Sequence, residues 1–372
     1  MIWNQMRILR VAQHLYPDTK GGGQYHVHAM SRDQAAMGHN VTVVTTRTDP
    51  SLPRIEETDG YTVLRVDPGI SVIGNDISPA VARVLWNADA DDYDVIHAHS
   101  HLYFSTNLAA LKRRLGEIPL AITNHGLYSQ SAPERVFRWY LKTLGRWTFN
   151  QADVVFCYTD EDKKRIQACG VSSPIAVVSN GIDTERFTPD GPESELIETA
   201  GPVVLFVGRF VEGKRPQLAV EAFAEVKESM PDAELYLCGE GPLREALEER
   251  ARALGVWESV TFLGQVPYEE MPSVYRSADV LVLPSRAEGV PRTIMEALSS
   301  GVPVVSSDLP QVRSAFGETI AYVESGDGSV FGNQICSVLD RSSDVTLDSA
   351  FQWERTVEET TAALQTLVSE SL

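Results

Sequence analysis

The chain has 372 residues, 51 of them acidic against 32 basic, for a formal net charge of −19. That length predicts two domains of roughly 150–200 residues each, and so acidic a chain lacks the positive footprint that general nucleic-acid binding needs. No apolar run approaches the ~20 residues of a membrane span, and the N-terminal MIWNQMRILRVAQHLYP, with internal charges and no small-residue cleavage site, reads as a buried strand rather than a signal peptide.

Strand candidates in the first half are Arg7–Gln13, Val41–Thr46, Thr62–Val66, Val95–Ala98, Leu120–Thr123, Val154–Tyr158 and Ile175–Val178, with amphipathic segments between most of them. The second half repeats the pattern at Val203–Val207, Glu234–Cys238, Val260–Leu263, Val280–Leu283 and Val302–Val305. Continuous apolar strands joined by helices imply parallel sheets covered on both faces. Pro242 suits the start and Gly255 the end of the helix in LREALEERARAL. The Gly-, Pro- and acid-rich NGIDTERFTPDGPESELIETAGP places the junction near Asp190. The expected domains are therefore 1–190 and 191–353, and the closing helix, about 354–372, is expected to pack back on the first. Two doubly wound domains predict ligands at the carboxyl ends of the strands, in the cleft between two facing sheets.

The four cysteines, Cys157, Cys169, Cys238 and Cys336, form no CxxC or Cys/His pattern, which fits a reduced cytoplasmic protein without structural zinc. Only seven of the basic residues are lysines. An acidic, lysine-poor surface suits concentrated salt, and a halophilic host is expected.

Three loops that follow strands carry candidate chemistry. In HLYPDTKGGGQYHVHAM, consecutive glycines before a helix N-terminus let backbone amides approach an anion. The spacing is neither the dinucleotide fingerprint nor a Walker loop, and phosphate or sugar contact through Gly22 and Gly23 stands against a plain flexible turn. In VVLFVGRFVEGKRPQLAVEAF, Arg209 follows a strand and Lys214 comes five residues later. Two cations there suit a diphosphate, Arg by its fork and Lys as a point charge; a solvated basic turn is the alternative. In VLVLPSRAEGVPRTIMEALSSGVPVV, Glu288 lies in the loop and Glu296 about one and a half turns into the next helix. Pro291 fits that helix's first turn, and Gly301 with Pro303 ends it.

PSRAEGVPRTIMEALSSGVPVV, with VGRFVEGKR upstream and the GGG loop in the first half, resembles the retaining family 4 glycosyltransferases of the GT-B fold. CGEGPL, VTFLGQV, VSNGIDTERF and ITNHG match further segments, in the family's order, from about Pro17 to Val323. The resemblance implies two Rossmann-like domains and transfer from a nucleotide-diphosphate sugar. Arg209 and Lys214 would hold the diphosphate, Glu288 the sugar hydroxyls and Glu296 the ribose hydroxyls. Amides of Gly22 and Gly23 would meet the phosphates and sugar, the base would lie near Phe262 and Leu263, and His125 would approach the sugar. Two departures stand out. Where the family often has Glu-Gly-Phe-Gly, this chain has Glu288-Gly289-Val290-Pro291, leaving the amides of Arg292 and Thr293 as the donors at the helix start. Where Lys-Gly is usual, it has Lys214-Arg215.

The resemblance also implies retention by front-face attack, with the leaving diphosphate taking the acceptor proton. No metal and no cofactor beyond the sugar nucleotide is expected, and Asp89, Asp91 and Asp92 read as a solvated acidic turn. The acceptor is expected to be a glycan or a lipid-linked molecule. In ERVFRWYLKTLGRWTFN, Arg135, Arg138, Lys142 and Arg146 form one basic stripe among aromatics. This suggests peripheral contact through 134–150 with the inner face of a membrane, against a stripe that is merely solvated. A nicotinamide-dependent enzyme and a non-catalytic sugar-nucleotide sensor are the rival readings.

Overall fold

The computed structural model describes residues 4–72, 74–127, 134–324, 326–341 and 345–370. The chain divides into two compact units, Met1–Ser179 with Glu354–Leu372, and Asn180–Trp353. The division comes earlier than Asp190 because the segment after Ser179 is bonded into the second unit. Asn180 Nδ2 donates to Val290 O (3.4 Å), Ile182 N to Phe351 O (2.9 Å), and Arg292 Nη1 to Gly181 O (2.9 Å).

Among the described residues, the first unit holds an eight-stranded sheet. Its spatial order is Ile175–Val177, Val154–Cys157, Leu120–Thr123, Val95–His99, Arg7–Val11, Asn40–Thr46, Tyr61–Val66 and Ile55–Thr58. All neighbours are parallel except the last pair. Alternate side chains serve two cores. Leu9, Val11, Ile96 and Ile122 face the helices Pro79–Asn87, Phe104–Leu115 and Glu134–Tyr140. Ile8, Val43, Val95 and Ala121 pack with Val27 of helix Gly22–Ala36 and Leu364 of helix Trp353–Glu370. The closing helix is fastened by Gln34 Nε2, which donates to Thr361 Oγ1 at 2.9 Å.

Among the described residues, the second unit holds a six-stranded parallel sheet in the order Val260–Gly264, Glu234–Cys238, Val203–Val207, Val280–Leu283, Val304–Ser307 and Ala321–Val323. Its core joins Phe206, Leu237 and Val282 to Phe223 of helix Pro216–Ser229 and Phe331 of helix Gly328–Leu339.

Several boundaries differ from the sequence reading. The strand expected at Val302–Val305 begins at Val304, because Gly301 (φ 78°) and the bond from Val302 N to Ala297 O spend two residues in leaving the preceding helix. The helix after Pro242 begins at Arg244, since Leu243 N is bonded to Phe210 O instead. The edge strands Ile55–Thr58 and Ala321–Val323 and the hairpin of Ile70–Val72 with Asn75–Ile77 were not anticipated. The basic helix at 134–150 is helical over Glu134–Tyr140 and Arg146–Phe149, joined by a π-helical turn at Leu141–Gly145.

Candidate active site

In the second unit the site is built by two loops at the carboxyl ends of adjacent strands. The first loop runs from Gly208 to Arg215. It rests on Gly239 and Gly241 of the CGEGPL segment: a Cβ on Gly239 would meet Gly208 O at 1.9 Å, and one on Gly241 would meet Phe210 O at 2.5 Å. Backbone contact this close is open only to glycine. The second loop, Pro284–Pro291, is tied to the first by Arg286 N donating to Gly213 O at 2.9 Å. That tie brings Lys214 Nζ to 2.5 Å from Glu288 Oε1, with the side chains 15% and 4% exposed. Arg209 stands exposed on the first loop.

Arg215 adopts a left-handed conformation (φ 49°, ψ 51°) that usually belongs to glycine. Its side chain supplies compensation, donating to Pro284 O (2.5 Å), Ser285 O (3.4 Å) and Ser307 Oγ (2.9 Å). The backbone turn after Lys214 is thus kept without the glycine.

Pro291 caps the helix Arg292–Ser299 and offers no side-chain bond, so the first amides, those of Arg292 and Thr293, have no intrahelical acceptor. Two hydroxyls, Ser285 Oγ in the loop and Thr293 Oγ1 in the first turn of the helix, are buried without a partner among the described residues. Such groups are costly unless something binds them. Glu296 faces inward, 5% exposed, and accepts from the hydroxyls of Tyr268 (3.1 Å) and Tyr275 (2.9 Å). Neither tyrosine was singled out from the sequence. Leu263 is half-buried on the strand Val260–Gly264, next to Phe262, over which Arg244 stacks at 4.9 Å.

The first unit, taken by itself, holds a pocket of about 90 Å³ at the ends of its central strands, lined by Gly23, His99, Ser100 and His125 among others. The approach to helix Gly22–Ala36 is pinned by a buried ion pair, Arg65 Nε to Asp18 Oδ2 at 2.6 Å. The helix has no side-chain cap and no acid in its first turn, and a Cβ on Gly23 would meet nothing within 4 Å. Packing therefore does not demand glycine there, whereas close approach of a ligand to the backbone would.

His125 follows the strand Leu120–Thr123, and both its ring nitrogens are engaged. Nδ1 lies 2.6 Å from the Tyr158 hydroxyl and Nε2 lies 3.1 Å from His99 Nδ1. Burial lowers its pKa to about 4, so the ring is neutral near pH 7. His99 and Tyr158 also went unremarked in the sequence, although both sit at the carboxyl ends of strands, where ligands are expected.

Residues 188–344 match the family model described as glycosyl transferases group 1, and residues 20–186 the model described as glycosyltransferase family 4. The D-inositol 3-phosphate glycosyltransferase of Corynebacterium diphtheriae is 28% identical over 373 residues, covering 90% of this chain and 87% of that protein. The phosphatidyl-myo-inositol mannosyltransferase of Mycobacterium leprae is 29% identical over 346 residues, again covering 90% and 87%. Sucrose-phosphate synthase from Thermosynechococcus elongatus superposes with a TM-score of 0.83 at 21% identity, over 98% of this chain and 100% of that one. The two family models account for both units almost end to end, and the chain belongs to the family 4 glycosyltransferases of the GT-B fold.

Proposed function

We propose that this enzyme transfers a hexosyl group from a nucleoside-diphosphate sugar to a glycan or lipid-linked acceptor, with retention at the anomeric carbon and without a metal ion. The observation that carries this reading is the ion pair of Lys214 with Glu288 beside the start of helix Arg292–Ser299, which has no side-chain cap. Cations and amide donors beside a buried carboxylate suit a diphosphate next to sugar hydroxyls. Arg209 and Lys214 neutralise charge as the anomeric carbon–oxygen bond breaks and its electron pair passes to the phosphate oxygen. The acceptor oxygen attacks from the same face, and its proton goes to the departing phosphate. Glu288 holds sugar hydroxyls and Glu296 ribose hydroxyls, while Leu263 lies by the base. Gly22, Gly23 and His125 are assigned to phosphate and sugar contact. The nicotinamide reading falls with the family assignment.

A panel of nucleotide sugars, scored by thermal shift and slow donor hydrolysis, tests this reading. At least one donor should stabilise the wild type and be hydrolysed, and Glu296→Ala should lose the stabilisation. If no nucleotide sugar raises the melting temperature, the proposal fails.

For the acceptor we favour a lipid-linked molecule, met by peripheral contact at the cytoplasmic face of a membrane. Among the described residues no helix is long and apolar enough to cross one. The name of the Mycobacterium leprae relative states a phosphatidylinositol acceptor. Three neighbouring helices of the first unit support the reading. Lys112 Nζ donates to Ala88 O (2.5 Å) and Asn107 Nδ2 to Thr148 Oγ1 (2.8 Å), which sets Phe104–Leu115 between Pro79–Asn87 and the 134–149 segment. Together these carry eight basic residues and one acid in a chain of net charge −19. Phe137 and Tyr140 pack inward, whereas Trp86 and Trp139 are 73% and 69% exposed. Bases with exposed aromatics suit an anionic interface. The enzyme should float with mixed phosphatidylcholine–phosphatidylglycerol vesicles and lose that on Trp86→Ala with Trp139→Ala. Wild type that stays wholly in the soluble fraction refutes the contact.

A further inference from the structure

The surroundings of Glu296 bear on which nucleotide the site accepts, on the premise that Glu296 meets the donor ribose. The Tyr268 hydroxyl donates to Oε1 at 3.1 Å and the Tyr275 hydroxyl to Oε2 at 2.9 Å. Tyr268 is itself held by Arg292, whose Nη2 donates to the phenol oxygen at 2.9 Å and whose Nη1 donates to Gly181 O at 2.9 Å. Arg292 Nε lies 3.6 Å from Glu296 Oε1, too far for more than an ionic contact. Both phenol rings pack against the buried Phe187, with centroids 5.5 and 5.9 Å away. Each tyrosine is therefore fixed in position before any ligand arrives.

An ionised carboxylate has about four lone-pair sites, two on each oxygen. One tyrosine on each oxygen leaves one site on each. A buried carboxylate with one open acceptor per oxygen is complementary to two adjacent hydroxyl donors, which is the pattern of a vicinal diol. It repels phosphate and ignores a lone acceptor. Burial and the neighbouring carboxylate raise the Tyr275 phenol well above its usual range, so it stays a donor at any working pH.

We propose that Tyr268 and Tyr275 are positioning residues that hold Glu296 as a reader of the ribose 2′,3′-diol, so that the site selects ribonucleotides over 2′-deoxyribonucleotides. With the tyrosine donors removed, the carboxylate is free to rotate and to take water, and the preference for the diol weakens. Loss of general packing would instead weaken both kinds of nucleotide alike.

Titration calorimetry of the full chain with UDP, GDP and their 2′-deoxy forms tests this. The wild type should bind the better ribonucleotide at least about tenfold more tightly than its deoxy form, the worth of one charge-assisted hydrogen bond. Tyr275→Phe should reduce ribonucleotide affinity about tenfold and deoxynucleotide affinity less than about twofold. Tyr268→Phe, at a half-buried position, should move the ratio the same way and serves if Tyr275→Phe does not fold. Glu296→Gln should abolish the discrimination. Variants that keep the wild-type ratio, or that weaken both nucleotides equally, overturn the inference while leaving the donor reading intact. Failure of both UDP and GDP to bind the wild type overturns the two together.

Discussion

Lys214 Nζ and Glu288 Oε1 lie 2.5 Å apart although the residues are 74 positions apart in the chain. With Glu288 4% and Lys214 15% exposed, neither charge is well solvated, and each compensates the other. Removing one partner leaves a buried charge without its counterion. Lys214→Met and Glu288→Gln should each cost about 2 kcal/mol of stability, and the double variant should recover part of the sum. On the donor reading, Lys214→Met should also lower kcat about a hundredfold, as expected for loss of one electrostatic contact to a leaving group. Denaturant melts of the four proteins decide it: costs that add within about 0.5 kcal/mol would falsify the coupling.

Arg215 gives a test of backbone strain in the neighbouring turn. A non-glycine residue at φ 49° carries roughly 1–2 kcal/mol of strain, offset here by bonds to Pro284 O and Ser307 Oγ. Arg215→Ala keeps the strain and loses the bonds, whereas Arg215→Gly loses both. The expected order of stability is wild type, then Gly, then Ala, with about 1 kcal/mol between the two variants. If Ala melts above Gly, the left-handed turn is not what limits this site.

Much of the frame was legible because buried parallel strands read as short apolar runs, and LAIT, VVFC and VLVL are buried at every position. Edge strands carry no such signal: IEET is half-exposed, and only the Asp59-Gly60 turn, with φ of 47° and 80°, marks its hairpin. In the candidate site, Lys214, Glu288, Glu296 and the amide of Arg292 could be singled out because each lies within a compact run after a strand. Tyr268 and Tyr275 were not, since they reach Glu296 through space from 28 and 21 residues earlier in the chain. The tie between Asp18 and Arg65 escaped for the same reason, as it spans 47 residues. Arg215 shows the converse. The missing glycine was visible in the sequence, but its compensation depends on the carbonyls of a loop about 70 residues away.

The histidines of the first unit set its response to acid. Burial holds His97 and His99 well below the ordinary value of 6.5, His101 at about 3 and His125 at about 4. Unfolded, each would titrate near 6.5. Between about pH 6.5 and 4 the unfolded chain therefore binds more protons than the native one, and stability falls as pH falls, by about 1.4 kcal/mol per unit for each such histidine. Above about pH 6.5 this contribution is fully present. Urea melts from pH 7.5 to 4.5 should show a slope steeper than one proton. His101→Phe, whose ring would keep the packing on Phe149 (centroids 4.9 Å apart), should remove about one proton from it. A flat profile over that range contradicts the assignment.

A net charge of −19 makes a further prediction about salt. Surface pairs such as Arg313 with Asp308, 2.8 Å apart, are worth little and weaken on screening. Repulsion among 51 acids facing 32 bases is long-ranged and destabilises the compact state, so screening it stabilises. Raising potassium chloride from about 0.1 to 1 M shortens the Debye length from about 10 to 3 Å, which suppresses that repulsion while leaving the buried pairs Lys214–Glu288 and Arg65–Asp18 nearly untouched. Repulsion should win, and the melting temperature should rise by several degrees, with chloride used rather than sulfate so that exclusion effects stay small. The same salt should reduce vesicle binding through the 134–149 segment, because those contacts are exposed. A melting temperature that falls steadily with potassium chloride means the acidic surface is not adapted to concentrated salt.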